Sequence, residues 1–219
     1  MKPKKQPAKP PRSRKKSDAL TDAPLSALLS SIANVFEETN AAWFVFGAQA
    51  LAIHGVARAT ADVDITVRLA GSTAQLIAAL AKHGFGIHIK PSELHAFIAE
   101  TRVIPAFHKT SNIPVDIVLA GPGLEELMLE RATRLKLQNV QIPVITMEDF
   151  LVLKILAGRG KDIQDVQLLL AARGPDIDQP LVARRIAELE QILDQADLTP
   201  TWLALAGPLP KNATGKKKR

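Results

Sequence analysis

Residues Phe44–Arg68 read FVFGAQALAIHGVARATADVDITVR, and the fold turns on how this stretch is parsed. An apolar run, Trp43–Phe46, stops at Gly47. A short helical pattern, Ala48–His54, follows and ends at Gly55. A second apolar run, Asp62–Leu69, opens with two aspartates one residue apart. The order is strand, glycine turn, helix, strand. Side chains at i and i+2 of a strand share a face, so Asp62 and Asp64 stand side by side while Val63, Ile65 and Val67 take the opposite, buried face. Neighbouring carboxylates repel unless a cation lies between them or one is protonated. Oxygen-only ligation without Cys or His points to Mg²⁺ or Mn²⁺ rather than zinc. A bare Asp-x-Asp is more often a solvated edge strand, so the rest of the chain has to decide.

Holding two such ions takes a third acid, and Asp116 in PVDIVLA supplies one. It is a lone acid in an apolar strand, a costly position unless the carboxylate is paired or coordinated. One ion would hold a triphosphate and the other would activate an attacking hydroxyl, with Asp116 as base or as positioning ligand.

The flanking pattern is mixed. Leu25–Glu38 has apolar residues at 25, 28, 29, 32, 35 and 36, the spacing of an amphipathic helix. Ser72–His83 reads as a second helix, capped by Ser72. Short strands are expected at Phe85–Ile89, Arg102–His108 and Ile113–Ala120, the last two forming a hairpin, with one or two more in Leu135–Ile145. Helices are expected at Pro91–Glu100, Leu124–Arg131, Met147–Ala157, Lys161–Ala172 and Leu181–Ala196. Thr146 and Asp149 look like a capping-box start, and Trp202 should pack a last turn on the body. Strands dominate 43–145 and helices 147–196. The reading is therefore an α/β (α+β) fold, a mixed sheet with flanking helices followed by a small helical C-terminal half. The expected divisions are a tail at 1–20, a catalytic domain at 21–145, a helical subdomain at 146–205 and a second tail at 206–219.

The net charge of +6 divides unevenly along the 219 residues. Residues 1–17 and 211–219 hold 13 of the 28 Lys and Arg and no acid; the 15 remaining face all 22 acids, a net of −7. Both basic tails are expected to be disordered, and any loose contact with RNA is expected there rather than on the acidic body. There is no cysteine, so disulfides and thiolate sites are excluded and a cytoplasmic protein is expected. No apolar run approaches the length of a membrane span. No P-loop, HExxH or GxSxG pattern occurs.

With Phe46-Gly47-Ala48, thirteen intervening residues and Asp62-Val63-Asp64-Ile65, the chain resembles the polymerase-beta type of nucleotidyltransferase. Asp116 matches that superfamily's third acid. Gly47-Ala48-Gln49-Ala50, His54-Gly55, Arg58-x-Thr60, Lys154, Arg159 and Lys161-Asp162-x-x-Asp165 look more narrowly like the bacterial minimal branch. That branch includes the nucleotidyltransferase toxins of abortive-infection, type IV toxin–antitoxin systems. The resemblance covers about residues 43–170 and departs at Ala48, where Gly or Ser is usual. It implies transfer of a nucleoside monophosphate from an NTP to RNA (a tRNA end), a protein or a small molecule, and a cognate antitoxin or other protein partner. It implies Asp62, Asp64 and Asp116 as catalytic metal ligands, and Gly47, Ala48, Arg58, Thr60, Lys154 and Lys161 around the nucleotide. Arg58 is read equally as a phosphate contact or as a structural partner of Asp62 or Asp64. Asp162 and Asp165 are read equally as functional or as a helix-start cap pair, and His54 as a helix-end residue.

Overall fold

In a computed structural model, residues 23–207 are described, apart from 57, 59, 138, 139 and 195. The expected tail at 1–20 and nearly all of that at 206–219 lie outside the described residues. Helix α1 (Ala23–Glu38) leads into β1 (Ala42–Phe46), α2 (Gly47–Ile53) and β2 (Val63–Arg68). Next come α3 (Thr73–Lys82), β3 (Phe85–Ile87), α4 (Pro91–Thr101), β4 (Val103–His108) and β5 (Ile113–Leu119). Then α5 (Leu124–Arg131), β6 (Thr133–Leu137) and β7 (Val140–Val144) complete the strands. Four helices close the chain: α6 (Met147–Ala157), α7 (Gly160–Arg173), α8 (Gln179–Leu193) and α9 (Leu198–Ala206).

The strands form one seven-stranded mixed sheet in the order β3-β4-β5-β2-β1-β7-β6. β2 runs parallel to β5 and β1 parallel to β7, while the other neighbours are antiparallel. This is the expected α/β architecture with its helical C-terminal half. The core is the inner face that the period-two pattern marks: Val63, Ile65, Val67, Val115 and Ile117 are each fully buried. Against it pack the apolar positions of α1, where Leu28, Ile32 and Val35 are also fully buried. Burying a side chain of that size is worth about 1.5–3 kcal/mol, so α1 is held mainly by its apolar face.

Local signals set the element ends. Ser72 caps α3 and exchanges hydrogen bonds with Gln75, a complete capping box. Thr146 caps α6 through the Asp149 N–H, and Gly158 in the left-handed region (φ 62°) stops it. Some boundaries differ from the expectation. β2 starts at Val63, so Asp62 sits just before the strand. β6 starts at Thr133 rather than Leu135, because an edge strand tolerates exposed polar residues such as Thr133 and Arg134. The last turn is a full helix, α9, with Trp202 wholly buried.

Candidate active site

The carboxylates meet through strand register. Asp64 on β2 lies directly beside Asp116 on β5, and Asp62 stands one step before β2. One carboxylate oxygen from each of the three lies within 4.8 Å of the other two, and all three residues are half-buried. Thr60 donates its hydroxyl hydrogen to Asp62 Oδ1, which fixes that side chain from within the loop. Burial raises the Asp64 carboxyl to about 6; the charges of Asp62 and Asp116 push the same way, against Lys154 and Lys161. Asp116 is likewise raised, by burial and then by Asp62. Three oxygen donors that disfavour one another's charge are a set that a hard dication fits.

Gly47 explains why a glycine must precede the helix. It has φ +66°, and a β-carbon built on it would overlap the Asp64 carboxylate. The turn from β1 into α2 thus brings bare backbone against the acid. Its neighbour Phe46 pairs with Asp64 across β1 and β2.

Cations complete the opposite wall. A cavity of about 520 Å³ is lined by Phe46, Gly47, Ala48, Arg58, Thr60, the three aspartates, Phe150, Lys154, Arg159, Lys161 and Asp162, among others. Every residue expected at the site therefore borders one space. As the sequence pattern indicates, the helix carrying Lys154 stops at Gly158 and a second one carries Lys161, and both lysines border the cavity, from α6 and α7.

Lys154 donates to Asp162 at 2.8 Å and forms an ion pair with Asp165 at 2.7 Å, and its ammonium lies 5.4 Å from the Phe150 ring centroid. Arg159 pairs with Asp162. Burial works against the Asp162 charge, but the hydrogen bonds from Arg159 and Lys154 outweigh it and hold the carboxyl below its usual range. Arg58 bonds to Asp165 at 3.0 Å. The structure thus corrects one alternative for Arg58: its acidic partner is Asp165 on α7, not Asp62 or Asp64. It also replaces the cap-pair reading, since Asp162 and Asp165 are buried inside α7 and serve Lys154, Arg58 and Arg159. Position in the sequence could have shown this. Asp162 and Asp165 share the helical face of Val166 and Leu169, so they lie on the buried side. Lys161 has no ion-pair partner among the described residues and is exposed.

His54 caps the end of α2 and its Nε2–H donates to the Ile145 carbonyl at 2.7 Å, the helix-end role expected for it.

The model of the family described as "Nucleotidyltransferase of unknown function (DUF6036)" matches residues 23–197. The chain belongs to that family. No curated protein matches the sequence. Among solved structures, this nucleotidyltransferase is similar to an antigenic nucleotidyltransferase-like protein from Paracoccidioides brasiliensis. The two are 17% identical, the match covers 85% of this chain and 98% of that one, and the TM-score is 0.51. It is also similar to ANT(2")-Ia, solved with adenylyl-2"-tobramycin: 14% identity, 73% and 95% covered, TM-score 0.50. At these identities the likeness is one of fold, and it agrees with the mixed sheet and flanking helices. No described helix is long and apolar enough to cross a membrane.

Proposed function

We propose that the protein moves a nucleoside monophosphate from an NTP to a hydroxyl acceptor and releases pyrophosphate. One observation carries this reading: Asp62, Asp64 and Asp116 converge within 4.8 Å of one another on a cavity whose other wall holds Arg58, Lys154, Arg159 and Lys161. The acids are the metal ligands, and Mg²⁺ or Mn²⁺ bound there would supply charge stabilisation at the attacking and leaving oxygens.

The chain's own residues do the rest. Lys154, locked by Asp162 and Asp165, presents fixed positive charge to the triphosphate, and exposed Lys161 adds a mobile one. Arg58, tied to Asp165, and Thr60, tied to Asp62, hold the loop before β2 against the cavity. Gly47 and Ala48 let the nucleotide approach backbone closely. Asp116 faces the acceptor side and receives or orients the hydroxyl proton. In the step, the acceptor oxygen loses that proton and bonds to the α-phosphorus, and the bond from that phosphorus to the bridging oxygen of the β-phosphate breaks.

For the acceptor, RNA is supported by the basic tails at 1–17 and 211–219, and a toxin of a toxin–antitoxin pair by the motif resemblance. A second reading, a silent nucleotide- or RNA-binding module, is favoured by Ala48, which places a methyl group where a phosphate-facing hydroxyl is usual.

The test is incubation of the pure protein with Mg²⁺, each α-labelled NTP and total cell RNA, beside Asp62→Ala and Asp64→Ala. Label should pass to an acceptor, and each variant should lose about three orders of magnitude or more of rate while keeping its fold. Undiminished transfer by the doubly substituted protein sinks the mechanism. Metal-dependent NTP binding with no transfer to any acceptor favours the silent module.

A further inference from the structure

The aspartates belong to a longer row. Register sets Phe46 beside Asp64, Asp64 beside Asp116, and Asp116 beside Pro105 on β4. Residues paired across neighbouring strands share a face, so this row crosses the sheet on one side. The His88 N–H reaches the Pro105 carbonyl at 3.4 Å, carrying the row to the far edge. Phe107, two residues along β4, lies on that same face. Its ring rests across Gly86, where a β-carbon would overlap it. The His88 ring stacks on Phe107 with centroids 4.2 Å apart and planes at 23°.

This face is sealed at one side and open at the other. Over β1 and β2, Phe44 and Thr66 are only 0% and 3% exposed. Over β5, β4 and the β3 edge, Pro114 and His88 are exposed and Phe107 is half-buried. The cationic cavity comes up from the β1, α2, α6 and α7 side and its lining stops at Asp116. In an in-line displacement the attacking oxygen arrives opposite the departing pyrophosphate. With the triphosphate on the cationic side, the acceptor has to come over β5 and β4.

We infer that His88 and Phe107 form the acceptor platform, and that the acceptor carries its reacting hydroxyl beside a planar ring. The inference rests on the nucleotidyl-transfer reading above. A stacked imidazole–phenyl pair offers a π-face to such a ring. The charged residues next along the chain, Lys90 and Lys109, are exposed cations and repel a polycationic aminosugar. Nucleosides and phenols share the chemistry the platform selects, and the experiment separates them.

Full-length protein is saturated with Mg²⁺ and a non-hydrolysable NTP analogue, whose own binding is measured first. Adenosine, p-cresol and tobramycin are then titrated into wild type, His88→Ala and Phe107→Leu. The expected result is saturable binding of adenosine or p-cresol, weakened roughly five- to tenfold in either variant, with analogue affinity unchanged. Binding of adenosine alone identifies a nucleoside acceptor, and of p-cresol alone a phenolic one. No saturable binding of either ring compound, equal binding by all three proteins, or preference for tobramycin overturns the platform. Failure of the NTP analogue to bind overturns the functional reading itself, so the two failures are told apart.

Discussion

A single missing side chain decides how close the Asp64 carboxylate comes to the backbone. Gly47 sits at φ +66° with the Asp64 carboxylate where its β-carbon would be. Gly84 has a similar φ of +85° but nothing within 4 Å of a β-carbon. Gly47→Ala and Gly84→Ala therefore share the left-handed backbone cost, about 1–2 kcal/mol, and differ in the collision. Both variants should melt earlier than wild type. Only Gly47→Ala should lose Mg²⁺-dependent NTP binding, by roughly tenfold or more, because Asp64 must move. Calorimetric titration of both proteins checks this; equal NTP affinity in the two would mean the close approach is not needed. The strand–glycine–strand pattern and the aspartates were legible from residue types, because backbone geometry and charge repulsion act locally. The partner of Arg58 was not, because Asp165 is 107 positions away and only packing of α7 on the loop brings them together.

At the scale of elements, α2 is a short helix that must be held at both ends. Gly47 fixes its start. At its other end the His54 ring donates to the Ile145 carbonyl at the close of β7, while Arg173 of α7 donates to the His54 carbonyl at 2.6 Å. Burial lowers the His54 pKa from its usual 6.5; the bond to Ile145 opposes this, the Arg173 charge reinforces it, and Glu148 of α6 opposes it. Folding thus favours the neutral ring. A folded pKa below the unfolded one means the imidazole binds its proton less readily when folded. Its contribution is fully present above about pH 6.5 and is lost as pH falls below that. In His54→Gln the amide can still donate to Ile145 but does not titrate. Denaturant melts from pH 8 to 5 should show wild type losing stability relative to this variant, and parallel curves would exclude His54 as the source. Element types were readable here because periodicity and caps are local. The break at Gly158 was visible too, but not that α7 would fold back so that Lys154 on α6 meets Asp162 and Asp165. Those two acids replace apolar residues on a buried face, which only a partner cation permits.

Across the whole molecule, the sheet and the helical C-terminal half are joined by a charge that sequence position alone presents as part of a helix cap. Asp149 on α6 is fully buried. Its carboxylate accepts from Arg131 at the end of α5, at 2.9 and 2.8 Å, and from Arg185 of α8 at 2.8 Å. Thr146 needs only the backbone N–H of Asp149 for capping, which leaves the side chain free to reach both arginines. A buried carboxylate with two guanidinium partners gives little net stability, since desolvation offsets the attraction, but removing one member strands the others. Asp149→Ala should therefore cost about 3–5 kcal/mol, with two half-buried arginines left unpaired. Arg131→Ala added to it should cost far less than it does alone, because the residues act as one unit. Replacing all three together, Asp149→Leu with Arg131→Met and Arg185→Met, should return stability to within about 1–2 kcal/mol of wild type. Urea unfolding of the series measures each step. Strict additivity of the single costs would show that Asp149 and its arginines are independent surface pairs, and that the two halves are joined by apolar contacts alone.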